Sequence, residues 1–157
     1  MDKKSRIIVT WVIICVALGF ASGLSGQDAI VNWYSDLKKP FFSPPNWIFG
    51  PVWTILYIMM GIAVGRVQGI GFDNLAAKKG VGFFIMQFIM NLLWSPVFFA
   101  MKQPMLALGI IIVLWLMILM TINKFRQVDK TAALLLYPYL LWVSFATALN
   151  LAIVMLN

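Results

Sequence analysis

The chain has 157 residues, of which 62% are hydrophobic and 11% are charged, and its formal net charge is +7. This composition excludes an ordinary soluble domain, which is about half apolar and about a quarter charged, and indicates a single domain that has the lipid bilayer as its solvent. The positive charges cluster at the ends of apolar runs, which excludes the basic face of a nucleic-acid-binding protein and is typical of contact with lipid headgroups.

The first predicted helix covers residues 6–26 and has the basic residues Lys3, Lys4 and Arg6 at its start. A basic segment, an apolar run and the small residues 21–23 are also features of a secretory signal peptide. Because the apolar run is longer than the hydrophobic region of a usual signal peptide, we favour a retained membrane helix.

A long first loop, residues 27–49, follows this helix and is rich in proline. Its apolar residues at 30, 33, 34 and 37 have helical spacing, which predicts a short interfacial helix. The rest of the loop cannot form a regular helix or strand, because proline removes backbone donors and restricts its neighbours. We interpret this loop as a lid over a pocket formed by the helices, and call it the lid throughout.

Four further apolar runs predict membrane helices at residues 50–68, 79–101, 104–126 and 131–156. These runs are continuous and apolar on both faces, whereas strands of a membrane barrel would alternate over segments of about ten residues. The predicted fold is therefore an all-α membrane protein, a bundle of five transmembrane helices in one domain, 1–157, with a short helix in its long first loop.

The distribution of Lys and Arg predicts the orientation of the bundle. Nine of these residues lie at the N-terminus and in the second and fourth loops, and three lie in the lid and the third loop. The positive-inside rule then places the N-terminus in the cytoplasm and the lid outside, in a bacterial cytoplasmic membrane.

Several kinds of chemistry are disfavoured by missing residue types. There is no histidine or glutamate, and all five acidic residues are aspartates outside the apolar runs. The only cysteine, Cys15, lies within the first apolar run and has no activating base. The sequence therefore predicts no metal site, no bound cofactor and no hydrolytic centre, and it lacks the intramembrane charge typical of proton-coupled transporters.

Aromatic and amide side chains share faces on three predicted helices. The shared faces carry Trp53, Tyr57 and Gly61 on the second helix, Gln87, Asn91, Trp94, Ser95 and Phe98 on the third, and Trp142, Ala146 and Asn150 on the fifth. Flat rings beside a few amides predict a pocket for a flat, mostly apolar ligand. Asn91 and Asn150 could instead link helices by hydrogen bonds. Gly19-x-x-x-Gly23 and Gly61-x-x-x-Gly65 are close-packing signals that could serve contacts within the chain or a dimer.

Four motifs, taken in order, resemble the tryptophan-rich sensory protein family, also called the translocator protein or peripheral benzodiazepine receptor family. They are Trp33-Tyr34-x-x-Leu37-x-Lys39-Pro40 with Pro44-Pro45, Pro51-x-Trp53-x-x-Leu56-Tyr57, Asn91-x-x-Trp94-Ser95-Pro96-x-Phe98-Phe99, and Pro138-Tyr139-x-x-Trp142 with Phe145-Ala146-Thr147-x-Leu149-Asn150. The resemblance spans nearly the whole chain.

The resemblance implies a membrane receptor or sensor that binds porphyrins such as protoporphyrin IX and haem, takes part in tetrapyrrole regulation, and often forms a homodimer. It implies a ligand site that contains Tyr34, Pro44, Trp53, Tyr57, Asn91, Trp94, Ser95, Trp142, Ala146 and Asn150. The proposed sterol motif of animal members needs a Lys or Arg in the fifth helix, and none follows Lys130 here. A bacterial member is therefore favoured.

Two alternative functions stay open. The first is light- and oxygen-dependent breakdown of a bound porphyrin, for which the resemblance implies Trp53 and Trp142 as the candidate catalytic residues. The second is transport of a porphyrin or sterol, although the sequence shows no evident inverted repeat.

Overall fold

The computed structural model describes all residues, 1–157. Seven α-helices form in the order α1 (Lys3–Leu24), α2 (Gln27–Asn32), α3 (Phe49–Gln68), α4 (Leu75–Ser95), α5 (Pro104–Arg126), α6 (Lys130–Leu135) and α7 (Tyr137–Leu156). Five segments, α1, α3, α4, α5 and the pair α6–α7, are long and apolar enough to cross a membrane. The prediction of an all-α bundle with five membrane spans is confirmed.

The helix starts follow from side-chain caps. Asp2 accepts from the backbone N–H of Ser5 at the start of α1, and Asn74 accepts from Ala76 and Ala77 at the start of α4. Each cap satisfies backbone N–H groups that have no partner within the helix. As a result both helices begin a few residues before the predicted positions.

Proline shapes the third and fifth spans. Pro96 begins a wide turn, Pro96–Ala100, in which the N–H of Met101 donates to the carbonyl of Pro96 at 2.9 Å. Pro138 lies in the first turn of α7, and Leu136 separates that helix from α6. Since proline has no N–H to continue the helical ladder, the predicted fifth helix forms as two pieces.

The helices pack in a ring. α1 lies along α3, α4 lies along α5, α5 contacts α7, and α6 fits between α3 and α5. Gly61 and Gly65 of α3 contact the backbone of α1, because a Cβ atom on either would come within 2.6 Å of Val12 or Ile8. The small-residue motif therefore serves packing within the chain.

The solid core occupies the half of the bundle away from the lid. Phe84 stacks on both Phe88 and Phe125, with ring centroids 5.8 and 6.2 Å apart. At the end of this half, Asp129 accepts from Arg66 at 2.9 Å and also caps α6 through the N–H of Ala132. This core holds the helices together and leaves the other half free to form a cavity.

Candidate functional site

A cavity of about 630 Å³ lies in the half of the bundle next to the lid. Its 28 lining residues come from α1, α3, α4, the turn Pro96–Ala100, α5, α7 and the lid. This volume lies within the range of small-molecule sites, roughly 300–1,000 Å³. Ala17, Gly19 and Ala146 line the cavity and leave space that larger side chains would fill.

The structure places nine of the ten predicted site residues in the wall of this cavity. They are Tyr34, Trp53, Tyr57, Asn91, Trp94, Ser95, Trp142, Ala146 and Asn150. Pro44 is half-buried in the lid and does not line the cavity. Binding of a ligand by the nine residues stays a prediction, and Pro44 is better described as a residue that shapes the lid.

Three tryptophans belong to the aromatic part of the wall. Trp53 stacks on Tyr57, with centroids 5.5 Å apart and an interplanar angle of 26°. Trp94 stacks on Phe98 at 5.1 Å, and Trp142 lies 5.3 Å from Phe145. Because each ring is held by another ring, these faces are fixed before any ligand enters.

The two predicted amides link helices as well as lining the cavity. Asn91 Oδ1 accepts from the Tyr57 hydroxyl at 2.9 Å, which joins α4 to α3. Asn150 Oδ1 accepts from Trp94 Nε1 at 3.1 Å, and its Nδ2 donates to the carbonyl of Pro104 at 2.9 Å. Asn91 and Asn150 can therefore both join helices and line the cavity.

The lid is held over the cavity by Tyr34, which is 3% exposed. The edge of its ring packs against Phe98 and Phe99, at centroid distances of 6.1 and 5.5 Å. On the other side, Lys39 Nζ lies 4.7 Å from the ring centroid, close enough for a cation–π contact. Burial raises the pKa of the Tyr34 hydroxyl above its usual value.

The electrostatic character of the cavity is neutral. None of its 28 lining residues is charged, and 18 are hydrophobic. The nearby Lys38 and Lys39 do not line it. A mostly apolar molecule fits this wall, with hydrogen-bonding groups where Tyr57, Asn91 and Asn150 lie.

Sequence reasoning missed the contribution of α1. This helix supplies seven lining residues, Val16, Ala17, Gly19, Phe20, Ser22, Gly23 and Leu24. Gly19 is needed for the geometry, because a Cβ atom there would lie 2.2 Å from the ring of Tyr57. The spacing Gly19-x-x-x-Gly23 was the available signal, but it marks close packing in general and does not specify a cavity.

Comparison with known proteins shows the family of the chain. A model of the TspO/MBR family matches residues 11–156. The chain belongs to the TspO/MBR family. Its arrangement of five membrane helices beneath a long first loop is therefore the architecture of a TspO/MBR member.

Similar TspO/MBR proteins come from widely separated organisms. Tryptophan-rich protein TspO of Chlorobaculum tepidum is 43% identical over 157 residues, covering 100% of this chain and 99% of that protein. Tryptophan-rich sensory protein of Cereibacter sphaeroides is 36% identical over 157 residues, covering 100% and 95%. The human Translocator protein is 37% identical over 121 residues, covering 76% and 72%.

Proposed function

We propose that this protein is an integral membrane receptor that binds a porphyrin, or a similarly flat apolar molecule, in the cavity under the lid and takes part in tetrapyrrole regulation. The observation that carries this proposal is the neutral cavity walled by Trp53, Trp94 and Trp142. Flat aromatic ligands are recognised by such rings, and the few hydrogen-bonding groups orient them. The word "sensory" in the name of the Cereibacter sphaeroides relative supports a sensing role.

Titration with protoporphyrin IX tests the proposal directly. In detergent, we expect saturable quenching of tryptophan fluorescence, and Trp53→Phe should weaken the affinity because part of the ring face in the wall is lost. Trp47→Phe is the matched control, since Trp47 is 74% exposed in the lid and does not line the cavity. Quenching that does not saturate, or equal affinities for the two variants, would contradict the proposal.

A second candidate function is light- and oxygen-dependent oxidation of the bound porphyrin. It is favoured by the position of Trp53 and Trp142, the two candidate catalytic residues, in the same wall. Wild type and Trp142→Phe, each saturated with protoporphyrin IX, should then differ in the rate of porphyrin bleaching under light and oxygen. A wild-type rate equal to that of free porphyrin in detergent would exclude this activity.

The proposed setting is a bacterial cytoplasmic membrane with the lid outside, on the basis of the distribution of Lys and Arg. A cysteine introduced by Lys38→Cys, in a Cys15→Ser background, should react in intact cells with a maleimide that cannot cross the membrane. Protection of this cysteine until the cells are opened would place the lid on the cytoplasmic side instead.

A homodimer also stays a prediction.

A further inference from the structure

Four buried side chains form a continuous hydrogen-bonded chain that leads away from the cavity. Tyr57 donates to Asn91 Oδ1 at 2.9 Å, Asn91 Nδ2 donates to the Tyr139 hydroxyl at 2.8 Å, and Tyr139 donates to Gln87 Oε1 at 2.8 Å. Tyr57 and Asn91 line the cavity, whereas Tyr139 and Gln87 do not. We call these four residues the amide–tyrosine chain.

The amide–tyrosine chain has a single direction. Each tyrosine hydroxyl has only one proton, so Tyr139, which donates to Gln87, must accept from Asn91. The amide of Asn91 therefore turns its oxygen toward Tyr57 and accepts the only proton of that hydroxyl. The hydroxyl of Tyr57, a residue that lines the cavity, therefore keeps free lone pairs on its oxygen but has no free proton.

Gln87 fixes this direction from the far end. Its Oε1 faces the Tyr139 hydroxyl, its Nε2 has no hydrogen-bond partner, and the side chain is 1% exposed. Rotation of this amide by 180° would place the Nε2 donor against Tyr139 and would reverse every hydrogen bond of the chain. Without the Gln87 oxygen, the Tyr139 proton could turn to Asn91, the Asn91 amide could reverse, and Tyr57 would offer its proton to the cavity. The orientation of the Gln87 amide, which does not line the cavity, thus determines whether the Tyr57 hydroxyl accepts or donates a hydrogen bond there.

We infer that Gln87 is a positioning residue that makes the Tyr57 oxygen a hydrogen-bond acceptor, so that the cavity prefers flat apolar ligands carrying an N–H or O–H group. This inference rests on the proposed function, because it assumes that the cavity binds a flat apolar molecule. It adds a preference among flat ligands, for those that can donate a hydrogen bond, which the aromatic wall alone does not provide.

Carbazole and dibenzofuran are suitable probes, because both are flat tricyclic molecules of nearly the same shape. Carbazole presents an N–H donor where dibenzofuran presents an oxygen acceptor. One hydrogen bond gained or lost changes affinity by roughly five- to tenfold. We therefore expect wild type to bind carbazole about five- to tenfold more tightly than dibenzofuran, as measured by competition with protoporphyrin IX.

The variants act at different points of the amide–tyrosine chain. Gln87→Leu should lower the carbazole-to-dibenzofuran affinity ratio to about one or below, and Tyr139→Phe should lower it by breaking the chain in the middle. Tyr57→Phe should give a ratio of about one, since the acceptor oxygen is absent. Gln68→Leu is the matched control, because Gln68 bonds Trp11 outside the cavity, and its ratio should equal that of wild type.

The affinity ratio separates positioning from general loss of structure, because a loosened cavity weakens both probes together. If Gln87→Leu does not fold, Tyr139→Phe tests the same dependence. Equal wild-type affinities, or a wild-type ratio in both Gln87→Leu and Tyr139→Phe, would overturn the inference. If protoporphyrin IX binds while neither probe competes, the inference fails and the proposed function stands. If protoporphyrin IX does not bind, the proposed function fails as well.

Discussion

The side-chain amide of Asn157 pairs with the backbone of Lys38 through two hydrogen bonds of 2.9 Å each. Its Oδ1 accepts from the Lys38 N–H, and its Nδ2 donates to the Lys38 carbonyl. The same Nδ2 also donates to the carbonyl of Ile153, in the last turn of α7. The middle of the lid is thereby joined to a helix that carries several residues of the cavity wall, so we expect this pair to resist opening of the lid.

Asn157→Ala should speed the release of a bound ligand. Two hydrogen bonds to the lid are lost, each worth roughly 0.5–1.5 kcal/mol, although their exposure favours the lower end of this range. We expect the dissociation rate of protoporphyrin IX to rise about three- to tenfold in stopped-flow fluorescence. Asn123→Ala, an exposed asparagine in α5, is the control. A dissociation rate equal to that of wild type would show that the pair does not restrain the lid.

The close contact between α1 and α3 predicts strong sensitivity at Gly61. A Cβ atom at this position would lie 2.5 Å from the Cα atom of Val12, and backbone cannot move aside as a flexible side chain can. Gly61→Ala should therefore lower stability by about 1–3 kcal/mol, with a lower thermal unfolding temperature in detergent. Gly109→Ala, where nothing lies within 4 Å, should leave that temperature unchanged or raise it. Equal unfolding temperatures for the two variants would contradict this assignment.

Asp129 has two separable contributions to stability. One oxygen accepts from Arg66 and the other accepts from the N–H of Ala132 at the start of α6. Asp129→Asn keeps a capping oxygen but loses the charge, so it should lower stability by about 1 kcal/mol, whereas Asp129→Ala should lower it by about 2 kcal/mol. Chemical denaturation would measure both values. Asp73→Asn, in an exposed loop, is the control. Equal losses of stability in Asp129→Asn and Asp129→Ala would exclude a capping role.

The fold could be predicted because its signals are local. Continuous apolar runs, together with proline-rich breaks, indicate the number and order of membrane spans. The division of the last span at Leu136 was less visible, since Pro138 in a membrane helix can produce either a bend or a break. The starts of α1 and α4 depend on single capping side chains, Asp2 and Asn74, whose effect is decided by local geometry.

The cavity wall could be predicted only where helical spacing places aromatic and amide residues on one face. Trp53 with Tyr57, and Asn91 with Trp94, follow that rule. The part of α1 around Gly19 does not, because small residues leave no chemical signature of a cavity. The hydrogen bond between Tyr139 and Gln87 joins residues 52 positions apart. It depends on how two helices pack together, and the spacing of residues within one helix does not specify that packing.

Tyr34 and Pro44 separate two ways in which the lid can affect binding. Tyr34 is buried and lines the cavity, so Tyr34→Ala should both remove wall area and release the lid from Phe98 and Phe99. Pro44 does not line the cavity, so Pro44→Gly should act only through backbone freedom, which is worth about 0.4–1 kcal/mol.

We therefore expect Pro44→Gly to raise the dissociation rate of protoporphyrin IX about two- to fivefold, without changing the maximal quenching of tryptophan fluorescence. Tyr34→Ala should raise that rate by about tenfold or more. Stopped-flow release and equilibrium titration on the same samples would measure both quantities. If Pro44→Gly reduced the maximal quenching as Tyr34→Ala does, Pro44 would contact the ligand directly. If Pro44→Gly changed neither the dissociation rate nor the maximal quenching, the stiffness of the proline-rich backbone would have no measurable effect on binding. The position of the lid would then depend on Tyr34 and on the pairing of Asn157 with Lys38.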